Sequence, residues 1–323
     1  MSSSPVTQSS GVKQVPDAVH RFAIATAAWI VLLIIAGALV TSNDAGLAVP
    51  DWPLSYGSWM PPMVGGILYE HGHRVIAAVA GILTIILAVW LQLREPRAWV
   101  RKLGWAALGL VILQGVFGGI TVLMRLPPPV STTHATLAEI YFVTILSIAL
   151  FTSRWWQRDL PSLEDTGSPK LRTLAMLTSG AIFTQLILGA AFRHGAFNLM
   201  PHEIGAVVVL VMSIITGRTV RKRFGNVPDL RRWGVLLSAI VGTQFLLGLA
   251  ALWAVSVAQH AAQPTPTYIT LTVIHVLVGA LTLATSWMLT LSCFRLILPA
   301  VAEAQAIATG TNSAAARTET SKA

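Results

Sequence analysis

The residues Tyr69-Glu70-His71-Gly72-His73-Arg74 set one carboxylate, two imidazoles and a guanidinium at the head of a long apolar run. From Val75 to Leu93 that run has only Gln92 as a strongly polar residue. Ionisable groups at the edge of lipid are costly, and where they occur they mark sites of function by default. On a helix Glu70 and His73 are three residues apart and share a face. Glu-x-x-His therefore presents a proton-exchanging acid and a metal ligand together, whereas His71 falls on another face.

Three further histidines stand in comparable places. His134, His202 and His275, like His73, each lie near one end of a long apolar stretch. A lone histidine in a helix is usually a satisfied polar residue, but four at matched positions suggest two pairs. Two imidazoles on different helices at one depth suit a planar metallated macrocycle, with one axial ligand on each face of its iron. They make a poor closed zinc site, which wants four ligands. A proton relay would instead need groups arrayed across the membrane. The pairs also differ: Leu199, not a carboxylate, stands three residues before His202, and Glu203 projects from another face. The pair with Glu70 is the candidate for chemistry, the other for storing an electron. Of the remaining histidines, His20 is read as interfacial, and His194 and His260 as loop residues.

The elements that must carry these residues are membrane helices. The chain is 54% hydrophobic and 11% charged, against about 25% charged in an average soluble domain. Eight stretches reach the roughly 20 apolar residues of a bilayer span, near 22–42, 67–93, 103–124, 132–153, 173–192, 203–221, 234–257 and 269–298. Of 22 Lys and Arg, only Arg74, Arg125 and Arg193 fall on the histidine side. The positive-inside rule then places both termini in the cytoplasm and the histidines towards the outside. The net charge of +9 follows this topology and does not indicate nucleic acid. One cysteine, Cys293, excludes an internal disulfide and any cysteine-rich metal site.

The polar linker 154–172 divides the expected all-α membrane fold into two four-helix bundles, 22–153 and 173–298, with cytoplasmic tails at 1–21 and 299–323. Spans three, five and seven each carry Gln followed four residues later by Gly: Gln114/Gly118, Gln185/Gly189 and Gln244/Gly248. Helix packing is the expected reason. Pro127 to Pro129 reads as a stiff connector before span four. The loop from Asn43 to Gly66, rich in Trp and Pro, reads equally well as an interfacial cap or as a lid.

The sequence resembles the bacterial haem A synthase family over residues 20 to about 298. The resemblance rests on Glu70-His71-Gly72-His73-Arg74, on the spacing of His134, His202 and His275, and on Pro50-Asp51-Trp52-Pro53. It implies two pseudosymmetric bundles in the bacterial cytoplasmic membrane. His202 and His275 would be the axial ligands of a haem b cofactor. His73 and His134 would hold the iron of the substrate, haem o, with Glu70 as the catalytic acid or base. Arg74, Arg125 and Arg193 would be contacts for propionates. The implied activity is oxidation of the C8 methyl of haem o to a formyl group, giving haem A for cytochrome oxidase. Membrane lipid, haem O synthase and an electron donor are the implied partners, with homo-oligomerisation left open. One departure is plain: many members carry a cysteine pair in the first outer loop, and residues 43–66 contain none. Two other readings stay open, a di-haem membrane cytochrome and a haem transporter.

Overall fold

Lipid offers no partner for a backbone N–H or C=O, so a chain this apolar must satisfy them within each segment, and helices do so. The computed structural model describes residues 15–160, 162–258 and 261–298. The expected tail at 299–323, most of that at 1–21, and His260 lie outside the described residues. The helices are α1 (Asp17–Ser42), α2 (Gly65–Arg94), α3 (Ala98–Leu123), α4 (Pro128–Thr152), α5 (Arg154–Gln157), α6 (Leu171–Arg193), α7 (Met200–Phe224), α8 (Pro228–Ala258) and α9 (Pro266–Leu296). All but the four-residue α5 are long and apolar enough to cross a membrane.

Most of these helices outrun their apolar stretches by a few residues. Charged residues such as Arg21, Arg94, Lys102 and Arg231 continue the helix into the polar zone. Charge ends a hydropathy signal, but it does not end a helix. The proline run before span four needs a correction. Only Pro127 is a connector, and α4 begins at Pro128, where the missing N–H has no intrahelical partner to lose. The linker also holds the unforeseen α5, capped by the Ser153 hydroxyl, which accepts from the Trp156 N–H at 3.1 Å.

Helices α1 to α4 form a ring in which each packs on two others, and α6 to α9 form a second. The rings meet where α1 and α4 face α9 and α6. Two apolar cores fill the half of each ring remote from the 43–64 loop. Ile30, Leu87, Tyr141 and Ile145 centre the first, and Leu171, Ile182, Leu237 and Leu289 the second. Small hydroxyls tie helices across these cores. Thr84 Oγ1 meets the Tyr141 hydroxyl at 2.5 Å, Thr178 meets Thr216 at 2.7 Å, and Ser179 meets Ser286 at 2.7 Å. Each such bond within a membrane averages about 0.6 kcal/mol.

Between the rings, the Trp287 indole N–H donates to Ser147 Oγ at 2.8 Å. Nearer the loop, Arg193 Nη2 donates to Ser42 Oγ at 2.6 Å and to the Ala38 carbonyl. Ser42 also meets Thr272 at 2.8 Å. With the cores occupying one half of each ring, the loop end is left for the polar residues.

Candidate functional site

Four histidines occupy that loop-end half, and all four are seated alike. A Cβ built on Gly37, Gly118, Gly189 or Gly248 would meet the ring of His73, His134, His202 or His275 respectively, with Cε1 nearest at 3.1, 3.1, 2.8 and 3.2 Å. Each glycine lies on the helix just before the one bearing its histidine, so α1, α3, α6 and α8 supply seats for α2, α4, α7 and α9. Only a residue without a side chain lets the ring come this close. Nδ1 is the next nearest atom in every case, and at Gly37, Gly118 and Gly189 Nε2 follows at 3.8, 3.9 and 3.7 Å.

The glutamines expected to serve helix packing are spent on these histidines instead. His134 Nδ1 meets the Gln114 carbonyl oxygen at 3.1 Å, and the Gln114 amide nitrogen lies 3.4 Å from His134 Nε2. The Gln185 amide donates to the His202 carbonyl oxygen at 2.7 Å and lies 3.0 Å from its Nδ1. That of Gln244 donates to the His275 carbonyl oxygen at 3.1 Å. Gln185 and Gln244 reach these positions by lying against Gly205 and Gly279 on the histidine helices. The three amide oxygens are buried without a hydrogen-bond partner. So is His73 Nδ1. In span one the register position of the glutamines, four residues before the seat glycine, is held by Leu33.

These features bear on whether the residues fit an iron macrocycle. The His202 and His275 ring centroids are 6.2 Å apart with their planes at 85°. A metal bound by an imidazole nitrogen on each side at about 2 Å sets the ring centres on the order of 6 Å apart. Among the described residues no three of His, Cys, Asp and Glu converge to hold a bare ion. A metal held by one histidine pair must therefore bring its remaining donors with it, as a macrocycle does. Where Nδ1 faces a carbonyl oxygen, as in His134, it donates and leaves the Nε2 lone pair for a metal, the usual outer-shell arrangement. The donor set fits.

The Glu70 motif faces two ways. His73 turns to its seat on α1, while Glu70, His71 and Arg74 grip the 43–64 loop. The Glu70 carboxylate is buried, accepts from the Val49 N–H at 2.8 Å and pairs with Arg74 Nη2 at 2.5 Å. Arg74 Nη1 donates to the carbonyl oxygens of Asp51 and Leu54 at 2.7 and 2.8 Å. His71 Nδ1 meets Ser55 Oγ at 2.8 Å. Within the loop, the N–H groups of Gly57 and Tyr56 hold the Asp51 carboxyl below the usual carboxylate range. Trp52 packs against Gly119 of α3. The loop is thus docked over the ring of α1 to α4.

Of the other arginines, Arg125 is exposed just beyond α3 with a positive φ of 60°. Arg193 is committed to the junction of the rings. His194 follows it, and burial, then Arg193, then His134 push its imidazole down to about 4. His20 lies at the opposite end, its Nδ1 2.8 Å from the Ala149 carbonyl oxygen. Sequence reading passed over Glu139, a buried α4 carboxylate whose Oε2 has no partner. A carboxylate inside an apolar span was the signal that would have found it.

Comparison with known proteins agrees with this geometry. The family model described as COX15-CtaA, cytochrome oxidase assembly protein, matches residues 64–200. The Heme A synthase of Symbiobacterium thermophilum is 29% identical over 262 residues, covering 72% of this chain and 84% of that protein. That of Alkalihalophilus pseudofirmus is 30% identical over 136 residues, covering 39% of this chain and 45% of the relative. That of Roseobacter denitrificans is 35% identical over 128 residues, covering 36% and 33%. In the latter two the match spans less than half the relative's length, and in the first it is long enough to extend over both rings. An all-helical architecture with eight helices able to cross a membrane, paired histidines on glycine seats and these relatives point one way: the chain is similar to the Heme A synthases and, over residues 64–200, to the COX15-CtaA family of cytochrome oxidase assembly proteins.

Proposed function

We propose that this protein is a haem A synthase, an oxidoreductase that converts the C8 methyl of haem o to a formyl group. This is a four-electron oxidation drawing on an external oxidant: two successive hydroxylations take the methyl to an alcohol and then to a gem-diol, which loses water to give the aldehyde. His73 and His134 hold the substrate between α2 and α4. His202 and His275 hold haem b between α7 and α9, and this cofactor supplies one-electron storage when bound. The rings act as two pseudosymmetric bundles, 22–153 for substrate and 173–298 for cofactor. The membrane is the bacterial cytoplasmic membrane, with both termini inside and the 43–64 loop outside. Haem O synthase as the source of substrate, and an electron donor, complete the partners.

The observation that carries this reading is an asymmetry between like sites. All four histidines are seated on glycine in the same way, yet only the α2 histidine has a carboxylate one turn away on its own helix. A carboxylate there could exchange a proton beside the substrate, which a site that only stores electrons does not require. Glu70 is the residue placed to exchange a proton near the substrate, at Oε1, which pairs with Arg74 Nη2. The C8 methyl lies on the periphery of the substrate, so the residues that set its orientation are those of the loop and of α2.

The test is to extract the haem from purified protein and identify it by mass, in the parent chain and in His202→Ala. The parent should yield haem b together with haem o, its hydroxylated form or haem A, and the variant should lose haem b. Haem b alone at two sites would mean an electron carrier, and protein without retained haem would mean a transporter.

A further inference from the structure

The 43–64 loop has two limbs of opposite character. The first turns inward: Ala45, Val49 and Ser55 are buried, and Glu70, His71 and Arg74 of α2 take up its polar groups. After the tight turn at Ser55–Ser58 the second limb turns outward. Trp59, Met60 and Val64 are 76, 75 and 63% exposed, Met63 is exposed as well, and of residues 59–64 only Pro61 is buried. A contiguous apolar patch of this kind marks a surface that something covers.

The position of the limb says what that is. A Cβ built on Gly72 would stand 3.9 Å from Met63 Cε. Leu68, Gly72 and Val75 share one face of α2 by their spacing, and Leu68 and Val75 are both exposed. With Ile82 and Ile86 farther along they form the stripe that α2 presents outside its ring. Gly72 lies seven residues beyond the first residue of α2, a rise of about 10 Å along the helix. Met63 thus reaches the level where the apolar run from Val75 begins. The exposed limb is continuous with a lipid-facing surface. No charged residue stands between Asp51 and Glu70, and the Asp51 carboxylate is taken up by the N–H groups of Tyr56 and Gly57.

We propose that residues 59–64 are embedded in the membrane leaflet at the loop end, an apolar lipid-binding limb by which the bilayer holds the loop against α2. The inference rests on α2 spanning the membrane and not on the haem chemistry. Apolar and aromatic side chains with no basic residue among them enter the boundary of headgroups and acyl chains by apolar burial alone. The attachment therefore needs neither anionic lipid nor low salt. The loop is clamped from two sides, by hydrogen bonds to the Glu70 motif within and by lipid without.

Cys293 is buried, so a nitroxide on an introduced surface cysteine reports one place. Full-length Trp59→Cys and Met60→Cys proteins are labelled and reconstituted in vesicles of zwitterionic phospholipid. Electron paramagnetic resonance then reads collisions with oxygen, which concentrates in lipid, and with a water-soluble nickel chelate. Ile82→Cys, on the exposed stripe of α2, is the lipid reference, and Gln263→Cys, exposed in the connection before α9, is the water reference. Both limb labels should favour oxygen over nickel as Ile82→Cys does, and should keep that preference when anionic phospholipid or salt is added. Adding Met60→Glu to Trp59→Cys should shift the label towards water, because a charge is costly in lipid, whereas Met60→Leu should leave it in place. Limb labels that collide with nickel as Gln263→Cys does would overturn the proposal and leave the patch as a surface for a partner protein. Embedding seen only with anionic lipid would overturn it too, since charge would then be the attraction. Failure of the membrane reading itself looks different, because the Ile82→Cys label would then also collide with nickel.

Discussion

At the scale of single residues, a proposed task of Glu70 must be separated from an observed one. Proton exchange is the proposed task, and the observed one is fastening the 43–64 loop through Val49 and Arg74. Glu70→Gln keeps size and one acceptor, and Arg74→Gln removes the loop's main anchor while leaving the carboxylate. If Glu70 exchanges protons, Glu70→Gln should cut haem A formation by roughly 100-fold or more, the scale of general acid–base catalysis. Arg74→Gln should cut it far less, with haem b retained in both. The measurement is haem composition in cells without another synthase, normalised to haem b protein. Equal losses in the two variants would reduce Glu70 to a loop anchor. Motif and spacing made His73 and Glu70 legible in the sequence. The work of His71 was not, because its partner Ser55 lies across a loop whose path no local pattern predicts. The glutamines were visible as a repeat, but their target was not, since a four-residue spacing says that a face is shared and not what faces it.

At the scale of the helix, the seat glycines set how closely two helices approach. At Gly189 a methyl would press on the His202 ring at 2.8 Å, and at Gly248 it would meet the His275 ring at an easier 3.2 Å. Gly189→Ala should therefore destabilise by about 1–3 kcal/mol, the usual range for overpacking, and should lose more haem b than Gly248→Ala. Thermal unfolding and the haem-to-protein ratio of the two variants decide it, and a reversed order would show that the seats do not control ligand placement. The eight long helices were legible because lipid demands a run of apolar residues whatever else the protein does. Their ends were less so. Pro128 shows why: in the body of a helix proline is a breaker, but in the first turn it has no bond to forfeit.

At the scale of the whole molecule, orientation is the property on which the placement of chemistry depends. Among the described residues, every Lys and Arg except Arg74, Arg125 and Arg193 lies away from the histidine end, and basic residues are retained on the cytoplasmic side. A reporter inserted after Ser58 should report the outside, and one after Gly167 the cytoplasm. The opposite pair of readings would move both histidine pairs to the inner face. The glycine seats carry one more consequence, for biogenesis. Each histidine and its seat belong to consecutive helices, and each framing glutamine is only 17 to 31 residues from its histidine along the chain. The hairpins α1–α2, α3–α4, α6–α7 and α8–α9 are therefore complete half-sites, and each histidine is oriented once its own hairpin closes, before its opposite number has been synthesised. Such local contacts form early. On the proposed assignment of the histidine pairs, delivery of the macrocycle would then be the step that joins two finished hairpins.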